Sequence, residues 1–316
     1  MKTCSIYNIK SEDMKKTLLL LVAGLACWFM TMAQDTTEVT DDTPRPKYAK
    51  ETFNSTKIIN LQSTEIIPQQ SLQFMVSHHF SYLWNKDQNT EDNLAQFFGL
   101  NSGVAHTYVS FDYSPTVYMN LGVALAGQSS YEGWAKFKVI RQQTGRKNIP
   151  VTITTYSMAN VDFAQDKGTG STWDKWSFLH QLLIARKFSD KFSFQLVPSL
   201  IYLNKVPYGI NNSNFVFSIG GAGKWQMTST LNLTMEYTRQ LNMYENIISE
   251  SGTIQNYSPD LLSLGLEINT GGHQFQFYVG NTIHSSAIDQ LARNTGYIKD
   301  GNFAFGFTIN RTMNLK

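Results

Sequence analysis

A lipid-cleaving centre needs a nucleophile, a base within hydrogen-bond reach of it, and a third group that orients the base. The nearest fragment in this chain is His284-Ser285-Ser286. Ser286-Ala287-Ile288-Asp289, followed by Leu291, also has the spacing of a helix capping box, which accounts for the same serine structurally. His78-His79 offers two metal-ligating rings, but adjacent strand residues point to opposite faces and cannot chelate one ion together. His79 and His106 belong to neighbouring segments, yet no acid is placed beside them by spacing. No glycine-rich phosphate loop, dinucleotide fingerprint or paired carboxylates stand out. We therefore expect no catalytic residue, no metal and no cofactor, with a lipid hydrolase kept as the alternative.

The remaining chemistry lies in polar residues on alternating positions: His79, His106, Asp112, Lys136, Lys138, Asp162, Lys224, Glu236 and Glu267. They share the parity opposite to the apolar positions of their segments. Such residues either line a path for a small solute or pair with one another across a narrow interior, and pairing is the expectation for most of them. Their mixed signs argue against strong ion selectivity.

The elements that must position these residues are strands. Leu231, Leu233, Met235 and Tyr237 alternate with Asn232, Thr234, Glu236 and Thr238; Leu262, Leu264, Leu266 and Ile268 alternate with Ser263, Gly265, Glu267 and Asn269. Side chains of a strand leave opposite faces with period two, so each segment has one greasy face and one small or polar face. Twelve such segments are read, over about 71–83, 103–113, 116–126, 131–140, 149–163, 173–188, 191–203, 213–225, 229–239, 260–269, 273–283 and 301–312. In 173–188 the alternation is blurred by Leu179, Leu182, Leu183 and Ile184. Short turns are expected at Ser114-Pro115, Ser189-Asp190, Gln226–Ser229 and Thr270–Gly272, and mostly longer connections on the other side, Gly127–Ser130 excepted. Short and long connections in alternation belong to outer-membrane barrels, with the short turns periplasmic and the long loops outside. Lipid leaves no water for unpaired backbone groups, so only a closed sheet can span. Tyr82, Trp84, Tyr113, Tyr131, Phe163, Trp176, Tyr202, Phe215 and Tyr237 fall near segment ends, where interfacial girdles form.

Composition agrees. Charged residues are 16% of the 316 and aromatics 13%, with a net charge of +2, too even a balance for phosphate-driven nucleic-acid binding. Leu18 to Met30 is too short for a transmembrane helix. Preceded by Met14-Lys15-Lys16 and followed by Thr31-Met32-Ala33, it reads as a signal peptide over 1–33, with Met14 the better start and cleavage after Ala33. Both cysteines, Cys4 and Cys27, lie inside it, so the mature chain has no disulfide or thiolate. Residues 34–70 read as a periplasmic leader, partly disordered. Its part Glu51 to Pro68, with Ile58, Ile59, Leu61, Ile66 and Ile67, either stays below the barrel or enters it as a plug. Leu94 to Leu100 reads as a short helix or cap in the first long loop.

Phe53-Asn54-Ser55-Thr56-Lys57-Ile58-Ile59-Asn60, Val76-Ser77-His78-His79-Phe80, Phe97-Phe98-Gly99-Leu100-Asn101 and Lys136-Phe137-Lys138 with Arg141-Gln142 resemble a Bacteroidota family of outer-membrane β-barrel proteins without an assigned activity. The resemblance runs from about Phe53 to the C-terminus. It implies a barrel in the outer membrane and brings no catalytic residues. The end, Thr312-Met313-Asn314-Leu315-Lys316, lacks the terminal aromatic residue common in such barrels.

The expectation is thus an all-β, closed antiparallel transmembrane barrel of about twelve strands over 71–316. It would be a narrow or plugged, porin-like channel for small solutes or a structural envelope component, with a binding module of an envelope complex as a further alternative. Its partners would be outer-membrane lipid, the barrel-assembly machinery and a small solute, and not nucleic acid.

Overall fold

The computed structural model describes residues 45–84, 89–95, 106–127, 129–163, 171–206, 213–242, 247–248, 254–255 and 260–315, all within one unit, Arg45–Lys316. The expected signal segment 1–33, the expected leader up to Pro44, and Phe97 to Leu100 lie outside the described residues. Twelve strands form a closed barrel: β1 (Ser71–Tyr82), β2 (His106–Thr116), β3 (Met119–Ala126), β4 (Ser130–Ile140), β5 (Thr152–Asp162), β6 (Trp176–Lys187), β7 (Phe192–Leu203), β8 (Phe215–Gln226), β9 (Leu231–Gln240), β10 (Asp260–Thr270), β11 (His273–Gly280) and β12 (Ala304–Asn314). Each pairs antiparallel with its neighbours in sequence, and β12 closes onto β1 from Asn314↔Ser71 to Ala304↔Tyr82.

The period-two pattern decides the two faces. Along β9 and β10, Asn232, Thr234, Glu236, Ser263, Gly265 and Glu267 are buried, while Met235, Tyr237, Leu264 and Leu266 are exposed. Leu264 is 52% exposed and Glu267 2%, the reverse of a water-soluble protein. The outward band of Phe217, Ile219, Leu196, Phe277 and Val123 continues it around the wall. The blur in β6 has a packing cause. Leu179, Leu183 and Ala185 point inward, joining Val197, Ile201 and Val216 in an apolar sector of the inner wall, while Leu182 faces out. Pro198 on β7 brings no N–H to the ladder, whose pairing with β6 lapses between Gln181↔Ser199 and Ile184↔Leu196.

One turn differs from the expectation. Ser114 and Pro115 stay in β2, Ser114 opposite Ser71, and the chain reverses at Val117-Tyr118. Pro115 escapes the usual penalty because the β2–β3 register shifts between Tyr113 and Thr116, leaving it outside the ladder. The other tight connections, 188–191, 227–230 and 271–272, share the end with Val117-Tyr118, and the connections at the opposite end reach 281–303 in length.

Candidate functional site: the occluded lumen

The barrel is not hollow. Residues 52, 53, 55–64 and 67, ahead of the first strand, are buried. They form a hairpin bridged at Lys57↔Gln62, with Ile58 N–H on Leu61 C=O at 2.8 Å and Ser63 N–H on Thr56 C=O at 2.9 Å. Its tip, Ile58–Leu61, reaches Glu236 in the middle of β9. Its base lies by Lys224 and Glu267 near the tight-turn end. The hairpin therefore enters from that end and returns to it at Ser71.

Wall side chains hold this segment mainly by its backbone. One carboxylate, Glu236, accepts three consecutive amides, Ile59 (2.8 Å), Asn60 (2.8 Å) and Leu61 (3.0 Å). Such a turn of converging N–H groups is a natural anion cradle, and here the anion comes from the wall. One ammonium, Lys136 Nζ, donates to the carbonyls of Thr56 (2.9 Å), Ser63 (3.0 Å) and Glu65 (3.4 Å). Gln195 accepts from Thr64 N–H (3.0 Å) and donates to Gln62 C=O (2.7 Å). Gln276 donates to the carbonyls of Lys57 (3.2 Å) and Ile58 (2.7 Å). At the base, Lys224 Nζ donates to Glu51 C=O (3.0 Å) and Asn54 Oδ1 (2.9 Å), and Asn54 Nδ2 donates to Glu267 at 2.6 Å.

Two wall glycines make room for the tip. A Cβ on Gly265 would lie 3.0 Å from Ile59 Cδ1, and one on Gly220 3.0 Å from a Leu61 methyl. The stem is latched beneath the rim. Lys47 and Tyr48 pair with Thr144 and Gln143, and Arg141 stacks over Tyr48 at 4.0 Å.

The opposite end is filled by 281–303, which carries the helix α1 (Ala287–Ala292) with Ile288, Leu291 and Ala292 buried. Ser286 is its N-cap by position but makes no cap bond. Its hydroxyl donates to Glu132 at 2.8 Å, because that buried carboxylate competes for the proton. The two insertions meet where Gln290 Nε2 donates to Asn60 Oδ1 at 3.0 Å. The cavity at this junction measures about 10 Å³, room for a single water, and is bordered by Asn60, Glu236, Ser263 and Gln290. Burial holds the His284 imidazole below its ordinary value, against the pull of Asp289.

The residues singled out by parity fall as follows. His79, Asp112, Lys136, Lys224, Glu236 and Glu267 are buried; His106, Lys138 and Asp162 are half-buried. They do not chiefly pair across the barrel. Glu236, Lys136 and Lys224 bind the hairpin as above, Lys138 faces Glu65 at 3.8 Å, and Asp112 accepts from Trp134 Nε1 at 3.2 Å. The expected mutual pairing fails because the hairpin stands between the walls and supplies closer partners. His79 and His106 are directly opposite in the β1–β2 ladder, and His79 Nε2 lies 3.2 Å from Asn60 Oδ1. Among the described residues no group of three or more His, Cys, Asp or Glu could hold a metal ion.

His284 and Ser286 do not form a nucleophile–base pair: Ser286 is bonded to Glu132, and His284 packs on the His106 ring at 6.0 Å. A different serine and histidine meet on the outer wall. Ser157 and His180 are opposite in the β5–β6 ladder, and Oγ lies 2.9 Å from Nδ1. An open dent of about 300 Å³ runs beside them, bordered by Gly133, Ala135, Ala159 and Phe178. Only the strand register brings this pair together, so sequence reasoning missed it.

A family model described as "Membrane bound beta barrel domain (DUF5777)" matches residues 53–313. The match begins at Phe53, so it takes in the inserted hairpin together with the barrel. Among solved structures the chain is similar to "KdgM porin" (10% identity, TM-score 0.43, covering 76% of this chain and 98% of that one). It is also similar to "Salmonella typhi OmpF complex with Daunomycin" (6% identity, TM-score 0.37, 77% and 97%) and "TodX monoaromatic hydrocarbon channel deltaS2 mutant" (7% identity, TM-score 0.36, 79% and 91%). At these scores nothing about activity is carried over from them. No curated protein matches the chain.

Proposed function

This chain belongs to the DUF5777 family of membrane-bound β-barrel domains, and we propose that it is an outer-membrane channel for small solutes held closed by its own residues 51–67. The observation that carries this reading is the bonding of the inner wall. Glu236, Lys136, Lys224 and Gln195 spend their hydrogen bonds on the inserted hairpin and not on one another. Withdrawal of the hairpin toward the tight-turn end also removes Asn60, the support of Gln290, so that the 281–303 loop can swing aside and leave a hydrated lumen of mixed charge without breaking a pair of barrel strands. A barrel serving only as structure would satisfy those groups within its own wall. The short turns and the N-terminal stem face the periplasm in this reading and the long loops face outward, which the alternation of loop lengths supports, and residues 1–33 are removed on export, which the basic, apolar and small-residue stretches of Met14 to Ala33 support. Conductance in planar bilayers tests it. The intact chain should be almost silent and a chain lacking 51–67 should conduct steadily; equal silence from both, with the shortened barrel shown to be folded, would contradict it.

A second reading has one observation in its favour, the lipid-facing Ser157–His180 pair beside an open dent. A serine nucleophile with histidine as base would cleave acyl esters at that wall. Phospholipid turnover by the purified protein, lost in Ser157→Ala and His180→Ala, would favour the hydrolase over the channel.

A further inference from the structure

We propose that the inner wall is a peptide-binding site, that residues 56–64 occupy it as a built-in ligand, and that the solute admitted when the hairpin leaves is a peptide. This rests on the channel reading and names its substrate class.

The inner wall bonds chiefly to main chain. Glu236, Lys136, Gln195 and Gln276 are widely separated in sequence, on β9, β4, β7 and β11. On the hairpin they converge on main-chain atoms: amides 59, 60, 61 and 64, and carbonyls 56, 57, 58, 62, 63 and 65, while Gln276 also donates to Glu267 at 3.3 Å. A wall that merely tolerated a plug would need no such set. Bonds to charged groups are the stronger kind, and two full charges are used on backbone here. A polar lumen shaped for sugars or ions has no reason to present one carboxylate to three successive N–H groups and one ammonium to three carbonyls. Repeating amides, donor and acceptor in alternation, are what this constellation matches.

Side-chain selection rests on a few seats. Ile59 rests against Gly265 and Leu61 against Gly220, each within 3.0 Å of where a Cβ would be. Lys57 is buried with Nζ over the Tyr108 ring at 4.7 Å, and Phe53 and Ile58 are buried in the apolar sector. Other residues contact the wall through small polar groups, such as Asn60 Nδ2 to Ser263 Oγ at 2.8 Å and Thr56 Oγ1 to Gln73 at 2.8 Å. The ligand class is therefore a peptide in a tight turn with a cation followed by aliphatic side chains.

The test is exchange in detergent. A protease site is inserted between Pro68 and Gln69, in the exposed turn before β1, and the assembled full-length chain is cut there. A fluorescent peptide of sequence 51–67 should then replace the cut segment. A peptide of equal length that keeps Phe53, Lys57, Ile58, Ile59 and Leu61 and is otherwise unrelated should compete within about tenfold of the parent. The parent peptide N-methylated at 59, 60 and 61 should bind at least about tenfold more weakly, the loss expected of a single charge-assisted bond. A neutral oligosaccharide of like mass should not compete. Should the insertion block assembly, the uncut chain with Ile59→Asp, which drives out the tip and leaves the wall native, should take up the same peptide while the parent chain does not. Equal binding of the methylated peptide, failure of every peptide but the parent sequence, or a cut segment that never exchanges would overturn the proposal. Exchange beside a silent bilayer would fail the channel reading alone, and steady conductance without peptide competition would fail the peptide site alone.

Discussion

Glu236→Gln is the sharpest perturbation of the closed state. In the parent chain one carboxylate takes three amide protons at 2.8, 2.8 and 3.0 Å. The amide side chain keeps one acceptor oxygen and turns two donors toward the remaining N–H groups. At least one bond is lost, and the survivors fall from charge-assisted to neutral strength, roughly 1 kcal/mol each. Relief from burying the carboxylate offsets part of this. The net weakening of hairpin docking should be about 2–4 kcal/mol, or roughly 30- to 700-fold in the closed-to-open ratio at about 1.4 kcal/mol per tenfold. The wall should be untouched, because residue 236 keeps its backbone pairing with Ala222 and Ser263. Hydrogen exchange read by mass spectrometry separates these effects. Amides of 51–67 should exchange faster by that factor while β9 and β10 keep their protection. Unchanged exchange at 59–61, or equal acceleration throughout the barrel, would refute the reasoning.

Leu264→Arg, on the lipid face, should cost roughly 2–4 kcal/mol near the midplane, whereas Glu267→Gln, facing inward, should assemble nearly as the parent does; heat-modifiable migration of the folded barrel compares them. Gly265→Val should leave the barrel folded but displace Ile59, seen as faster exchange of 51–67 with β10 still protected. His284 provides the pH dependence. Its folded value lies below the ordinary 6.5 because burial disfavours the charged ring, so the stability it lends to the docked 281–303 loop is full above about 6.5 and is lost as pH falls through the lowered value. The protection of 281–303, taken relative to the intrinsic exchange rate at each pH, should therefore fall on going from about pH 7.5 to about pH 5, and His284→Asn should flatten that change.

Much of the wall was legible because lipid outside and polar atoms inside impose one rule on every strand. Leu231 to Thr238 and Leu262 to Asn269 obey it, and the twelve segments read from it correspond to the twelve strands. Where both faces meet apolar surroundings, as at Leu179 and Leu183, the rule fades although the strand persists. Pro115 read as a turn because proline usually ends pairing, yet a register shift accommodated it within β2. The interior was far less legible. Parity names Glu236 and Lys136 but not their partners, which are backbone atoms of a segment with neither helical nor strand periodicity. The one available signal was the cluster Ile58, Ile59, Leu61, Ile66 and Ile67 ahead of the first strand, too apolar for a solvated leader. Local spacing marks Ser286 as a side-chain cap, whereas Glu132, distant in sequence, accepts its proton instead.

If the hairpin closes the lumen, tying it in place should keep the barrel shut. With both native cysteines, Cys4 and Cys27, inside the expected signal segment, an added pair can act alone. Asn60→Cys with Ser263→Cys replaces side chains that touch at 2.8 Å and ties the hairpin tip to β10. Single-channel recording of this one protein, oxidised and then reduced in the same bilayer, is the most direct measurement. Openings should be absent while the disulfide is intact and should appear once it is reduced. Identical conductance in both states would contradict this.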